Sequence, residues 1–426
     1  MNVEMPMVTS TSTIPLPQEL SDRISVEIYE LIIPFLSHSP TLMACSLVSR
    51  ACLRVSWKTL FHQHTVRVNP QNLAAFLELI DLNTCSMTII SFIQRLHFRQ
   101  CISVEARSLP ATTGVWEEDD NSSPFLFDEY FHRFVGLTAV RTLKLSWVLK
   151  STDALIIAAL RNNFSGVTAL YLDPMLSSSV KHFCNILGAF PLLSSLSLCS
   201  VNLSRELDDW TKLDLSTRET YLKCSPPPPL LSNLRELNVD SISMVFLFSW
   251  MTHHNRPLPI QSLSVECLYN QSCNVALSKF LPISSSTLQE LTIREGSVST
   301  NLDLSSCANL RALEIAGVYL HKSTGVGSVQ FITNILRTVT SECLEEIRFT
   351  LTMRSSRDAL ASIEAFDWKG LGSIIGQRQY KDLDRIQIRT SNYKEEVEQT
   401  IFKHFMGVKT AKGSTLDRIF HVLSVE

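Results

Sequence analysis

The chain has 426 residues, of which 45% are hydrophobic and only 19% charged, with 38 basic against 41 acidic side chains. That length exceeds one ordinary core and suits two or three domains or an array of repeats. A formal net charge of −3 supplies no global basic field for nucleic acid or an anionic membrane, and leaves recognition to local groups.

Residues 1–13 (MNVEMPMVTSTST) are small and polar and carry no Lys or Arg. They read as a disordered tail, not a secretory signal. The longest apolar run in mid-chain, Met244–Met251 (MVFLFSWM), is far shorter than the ~20 residues that span a bilayer. Eleven cysteines, an odd number, lie between Cys45 and Cys343 with no C-x-x-C pair. This suits reduced thiols and a cytoplasmic or nuclear setting, in which the N-x-S sequons at Asn121, Asn163 and Asn202 stay idle.

A helical module is expected over 14–65. Pro17 suits a helix start, and Leu20, Ile24, Ile28 and Leu31 then recur at helical spacing. Pro34 ends that helix. Ser39-Pro40 opens a second, with Leu42, Cys45, Val48 and Cys52 on one face, and Trp57, Leu60 and Phe61 close the segment. So few short helices bury little alone, and such a unit packs on a neighbour or presents an apolar face to a partner. The ordered set Leu16-Pro17-x-Glu19-Leu20, Ile24, Ile28, Leu31, Leu42-x-Ala44-Cys45-Ser46-Leu47-Val48-Ser49-Arg50 and Leu60-Phe61 resembles the F-box. It is similar in particular to the F-box-like proteins of mushroom-forming fungi. The resemblance covers residues 14–61 and departs at Cys52, where the family usually carries Trp.

From residue 93 a pattern returns: apolar-x-x-apolar-x-apolar. Its middle positions are Leu96, Leu143, Leu170, Leu196, Leu237, Leu263, Leu291, Leu313, Ile347 and Ile386. Five of the nine intervals span 22–28 residues, within the roughly 20–29 of a leucine-rich repeat. Each hit predicts a short strand with alternate residues inward. Helical patterns lie between, such as Leu155/Ile156/Leu160, Val180/Phe183/Leu187 and Ile332/Leu336/Val339. The pattern resembles a degenerate leucine-rich repeat. The family's Asn or Cys three residues beyond the last strand Leu is matched only by Cys101; Val148, Met175, Val201, Ile242, Leu268, Gly296 and Val318 stand elsewhere. Longer intervals place loop insertions near 101–135, with the acidic stretch 116–130, and near 199–230, with Pro226–Pro229 expected as polyproline II. Val397, Ile401 and Phe405 suggest a capping helix in 393–426.

The expected fold is therefore α/β: a small helical F-box-like module over 14–65, then an irregular solenoid over 66–392 with strand–helix repeats and a curved parallel sheet. No constellation for chemistry stands out. His62-x-His64 and His253-His254 have no zinc-spaced partners, Gly325-x-Gly327 is too little for a phosphate loop, and Glu345-Glu346 and Glu395-Glu396 read as solvated faces. No catalytic residue, cofactor or metal is expected. The repeat pattern nominates Arg95, His97, Arg99, Lys144, Tyr171, Asp173, Asp240, Glu266, Arg294, Glu314, Arg348 and Arg389 for the concave face. Their mixed charge argues against generic nucleic-acid binding.

The F-box resemblance implies a partner, the adaptor subunit of cullin–RING ubiquitin ligases, with the repeats holding a protein substrate. The matching positions are Leu16, Pro17, Leu20, Ile24, Leu42, Leu47, Val48 and Arg50, each either contact or core, while Ile28, Leu31 and Cys45 default to core. The alternative is a repeat scaffold that no longer engages a ligase.

Overall fold

The computed structural model describes residues 25–81, 89–99, 130–146, 154–173, 175–176, 180–199, 201–202, 231–255, 258–268, 271–296, 302–319, 325–352, 368–377, 382–391 and 420–425, with 223, 380, 399 and 403 singly.

The described residues begin with three helices: α1 (Val26–Ile32), α2 (Ser39–Ser46) and α3 (Arg50–Gln63). Pro34 lies in a single 3-10 turn, Ile33–Phe35, that ends α1. The N-cap of α2 is His38, one residue before the expected Ser39, with Pro40 in the first turn where its missing amide costs nothing. Ser49 caps α3, its hydroxyl accepting from the Cys52 amide at 3.2 Å. Ile33, Leu42, Cys52, Val55 and Leu60 form the core of this module. Cys52 thus fills an interior position as a small hydrophobe.

Among the described residues after α3, twelve strands form one parallel sheet. They are β1 (Val66–Val68), β2 (Arg95–Arg99), β3 (Thr142–Ser146), β4 (Ala169–Leu172), β5 (Ser195–Leu198), β6 (Glu236–Val239), β7 (Ser262–Leu268), β8 (Glu290–Gly296), β9 (Ala312–Tyr319), β10 (Glu346–Thr352), β11 (Arg385–Ser391) and β12 (Phe420–Val425). Their spatial order is their chain order. Helices alternate with them: α4 (Leu73–Asp81), α5 (Ala154–Asn163), α6 (Val180–Gly188), α7 (Ser241–His253), α8 (Gln271–Ser284), α9 (Gly325–Thr338) and α10 (Trp368–Ile375). This is a solenoid-like α/β arrangement of two layers.

All ten middle positions of the sequence pattern are buried, and each stands in register against the next, from Leu96↔Leu143 to Ile347↔Ile386. The row extends to Val66 at one edge and Phe420 at the other. These two flanking strands lack the repeat's leading apolar residue, so the pattern does not reveal them. The second lies inside 393–426, the span expected to hold a helical cap; Val397, Ile401 and Phe405 themselves lie outside the described residues, as do 101–129 and Pro226–Pro229.

Strands β3 to β11 are each anchored in the same way. Gln94 O accepts from the Arg141 and Thr142 amides, both at 2.9 Å. The same two-amide capture recurs at the carbonyls of Arg141, Thr168, Ser194, Arg235, Gln261, Gln289, Arg311 and Glu345. The two amides entering each strand are thereby satisfied. Most strands are also preceded by a tight turn, as in Val140 N→Leu137 O, Val167 N→Phe164 O and Leu193 N→Phe190 O. The turn buries one further apolar residue three places before the motif, among them Leu137, Phe164, Phe190, Leu231 and Tyr380.

The absent Asn ladder has a physical replacement. Met175 and Val201 pair as a second small parallel sheet, Met175–Leu176 with Val201–Asn202. From β7 to β11 the strands lengthen to seven or eight residues, so Leu268 pairs with Gly296 and Val318 with Leu351. Backbone groups that an Asn side chain would satisfy are bonded by the neighbouring strand.

One continuous core runs between sheet and helices. The apolar run Met244–Met251 falls in α7, and its buried Met244, Val245, Phe246, Leu247, Phe248, Trp250 and Met251 reach almost every side of the helix, as a helix enclosed by protein requires. At the first repeats an aromatic cluster fills the interior. Phe98 lies 4.8 Å from Phe134, 5.6 Å from Phe131 and 6.2 Å edge-on from Phe164. Phe131 and Phe134 belong to the span expected as a loop insertion; both are fully buried, so that insertion returns to the core before 135. Phe61, at the end of α3, packs against both this core and that of the helical module, and its carbonyl accepts from Gln94 N at 3.5 Å.

Truncating Phe98 removes the centre of the aromatic cluster. Phe98→Ala is expected to cost about 3–5 kcal/mol in urea unfolding, whereas Leu155→Ala, 75% exposed on α5, is expected to stay within about 0.5 kcal/mol.

Candidate functional site

Two surfaces stand apart from the rest. The first is apolar and lies on the helical module. Twelve large hydrophobic side chains are exposed among the described residues, and seven of them fall between positions 28 and 48: Ile28, Leu31, Ile32, Phe35, Met43, Leu47 and Val48. Phe35 is 87% and Leu47 86% exposed. The cause is arithmetic: among the described residues, α1, α2 and the 3-10 turn place only Ile33 and Leu42 fully in the interior, and Tyr29 is partly buried against that core. Exposed apolar side chains concentrated in one short segment mark a place where something else packs.

The F-box-matching positions separate on this surface. Leu47, Val48 and Arg50 are exposed, whereas Leu42 is fully buried and belongs to the core. Ile28 and Leu31, expected as core, are exposed, because α3 meets the module through Cys52, Val55 and Leu60 instead. Cys45 is partly buried. Leu16, Pro17, Leu20 and Ile24 lie outside the described residues.

The second surface is the outward face of the sheet. Residues between the inward ones line up in rows across strands. The central row reads Arg67, His97, Lys144, Tyr171, Ser197, Asn238, Ser264, Thr292, Glu314, Arg348 and Gln387. Its two ends differ in kind. At β1–β3, Arg95 and Arg99 flank the row and are exposed, and Lys144 Nζ reaches Asp173 Oδ2 beyond β4 at 2.7 Å. The middle is small and uncharged. At β9–β11 the charges interlock: Glu314 lies 3.8 Å from Arg348 and 3.7 Å from Arg389, and Glu346 pairs with Arg348 and, at 3.7 Å, with Arg385. Hydrogen bonding from Arg348 holds the Glu346 carboxyl below the usual range against the opposing effect of burial, with Arg385 and Arg389 adding to the lowering.

The expected outward residues are thus mostly on this face. Glu266 and Arg294 are exposed on β7 and β8 in register, and Tyr171 is exposed on β4. Asp240 has a different task. Its carboxylate accepts from Ser243 N at 2.9 Å and caps α7, the role that Asp fills at a helix N-terminus. Sequence reasoning missed Arg67, Glu346 and Arg385 on the sheet. Arg67 sits between two valines of a strand without the leading apolar residue; the other two precede the inward residue of the motif, a position set outward by the pleat.

His97 stands in the central row of this face, between Arg67 and Lys144. Burial, then the charges of Lys144, Arg67 and Arg99, push its pKa down to about 4, against the opposing charge of Asp173. It is neutral at pH 7, and its Nε2 lies 3.0 Å from Ser146 Oγ. So low a pKa makes it a poor general base near neutrality, so this Ser–His contact reads as packing. Burial likewise pushes the Cys184 thiol up to about 12, away from nucleophilic use. On the helix side, a groove of about 440 Å³ between α5 and α6 is lined by Ile157, Arg161, Lys181, His182 and Asn185 among others, without a carboxylate. Among the described residues no three His, Cys, Asp or Glu side chains converge as metal ligands.

No protein-family model matches this chain, and no curated protein matches it in sequence.

Because Glu346 titrates below its unfolded value in the fold, its contribution to stability is present above the unfolded carboxyl pKa and is lost as pH falls through the folded one. Glu346→Gln is expected to lower stability by about 1–2 kcal/mol at pH 7. The difference in thermal unfolding between the two proteins should shrink as pH falls from the ordinary carboxyl range through the lower folded-state value.

Proposed function

We propose that this chain is the substrate-recognition subunit of a cullin–RING ubiquitin ligase, docking on the adaptor through its N-terminal helices and holding a protein target on its repeats. The observation that carries the reading is the apolar patch of Ile28, Leu31, Ile32, Phe35, Met43, Leu47 and Val48, lying within the segment whose ordered residues resemble the F-box. A module with five buried core residues and this much apolar surface outside is incomplete without a partner. The parallel sheet supports the other half: a long, regular row of outward side chains is the kind of surface that solenoids use for extended binding.

In this reading the chain performs no bond chemistry. It raises the effective concentration of a target lysine near a ubiquitin-charged enzyme, converting an encounter between two molecules into one within an assembly. The rigid part of that device is the junction at Phe61, which ties the docking helices to the first repeats. Cytoplasmic or nuclear residence belongs to the same proposal. Among the described residues, no helix is long and apolar enough to cross a membrane.

The test uses purified adaptor and the double variant Phe35→Asp, Leu47→Asp. Both side chains are almost wholly exposed, so circular dichroism and the melting curve should match wild type. Wild type should bind, and the variant should lose at least about 3 kcal/mol by burying two carboxylates at an apolar contact. A well-folded wild type that ignores the adaptor would leave the chain as a repeat scaffold with another partner.

A further inference from the structure

The outward face of the sheet contains its own control for what its cations prefer. On β9–β11, Arg348, Arg385 and Arg389 are each within 4 Å of a glutamate carboxylate supplied by the same face, Glu314 or Glu346. At the other end, β1–β3 present Arg67, Arg95, Arg99 and Lys144 around His97, and no acidic residue occurs in those three strands. Among the described residues, Asp173 is the carboxylate that pairs with this group, through Lys144. Among the described residues, four cations therefore meet one acid, and Arg95 also donates to the Gln63 carbonyl at 3.5 Å.

The field they create is legible in the imidazole between them, which burial and the neighbouring charges of Lys144, Arg67 and Arg99 keep neutral. The cluster is also rigidly mounted. Arg67, His97 and Lys144 stand in register on adjacent strands, and behind them Phe98 anchors the fully buried cluster of Phe131, Phe134 and Phe164. Tyr171, exposed in the next place of the same row, extends the surface with an amphipathic ring.

From this asymmetry we infer that the outward face of β1–β3 binds an extended, carboxylate-rich polypeptide segment of a partner protein, whose Asp and Glu side chains supply the acids that β9–β11 supply to their own arginines. Adjacent strands lie about 4.8 Å apart, and alternate side chains of an extended peptide about 6.7 Å apart. A chain laid across the strands thus brings successive carboxylates within reach of neighbouring long cationic side chains. Arginine forks accept carboxylates two oxygens at a time, which adds direction to the attraction. The inference rests on the reading of the repeats as the target-holding part, and names the chemistry of the segment they take.

The probe is a fluorescein-labelled peptide of alternating Glu and Gly, with the Gln–Gly peptide, a phosphoserine–Gly peptide and oligo-uridine alongside, followed by fluorescence anisotropy at low and at physiological salt. The full-length chain should bind the Glu–Gly peptide and not the Gln–Gly one. Arg67→Glu, Lys144→Glu should weaken that binding about tenfold or more, while Arg161→Glu, an exposed charge change on the helix side, should shift it less than about twofold. Equal weakening by both variants would reduce the effect to general electrostatics and overturn the proposal. So would failure to bind the Glu–Gly peptide, or binding confined to the phosphoserine peptide or to RNA. Adaptor binding measured on the same preparations separates the two ideas. An intact adaptor complex with no peptide binding sinks only this inference, whereas peptide binding without adaptor binding sinks the ligase reading and leaves the site standing.

Discussion

Each repeat of the solenoid begins with one carbonyl holding two successive amides of the next repeat, from Gln94 to Glu345, and the rest of the structure depends on that capture. It fixes where each strand starts relative to the previous one. In a sheet with a side-chain period of two, that choice decides which residues enter the core and which face outward. A slip of one residue would bury Lys144 and expose Leu143 and Leu145. The register of the inward leucines and the sorting of the outward charges are therefore two consequences of a single backbone constraint.

At the N-terminal side, α3 leads straight into β1, and the aromatic cluster around Phe98 fills the space behind the first long strands. Phe61 joins that cluster to the module. The helices are thus a lid on one end of the repeat core as well as the carrier of an apolar patch. The five-residue core they enclose is small for independent stability, and the docking face and the solenoid are coupled through α3.

Much of this was legible in the sequence, because the repeat's inward positions obey a strict spacing that survives divergence. All ten middle residues are where the pattern puts them, and the helical stretches around Ile156, Phe183 and Ile332 are helices. What escaped is what the spacing does not encode. Strands β1 and β12 lack the leading apolar residue. The buried residue three places upstream varies among Leu137, Phe164, Cys307 and Tyr380, too diverse in type to stand out. Asp240 looks like any outward acid until the helix it caps is seen. Exposed and buried apolar residues of the first helices share one periodicity, so Ile28, expected as core, is exposed, while Leu42, open between contact and core, is core. The F-box itself rests on the ordered resemblance and on the patch, and its first four matching residues lie outside the described part.

Hydrogen–deuterium exchange of the full chain, with and without saturating adaptor, tests the central claim most directly. The account predicts new protection confined to residues 26–48, on α1, the 3-10 turn and α2, with β1–β11 unchanged because their amides are already bonded within the sheet. Protection centred on the sheet, or no change anywhere under conditions in which the adaptor binds a known partner, would contradict it.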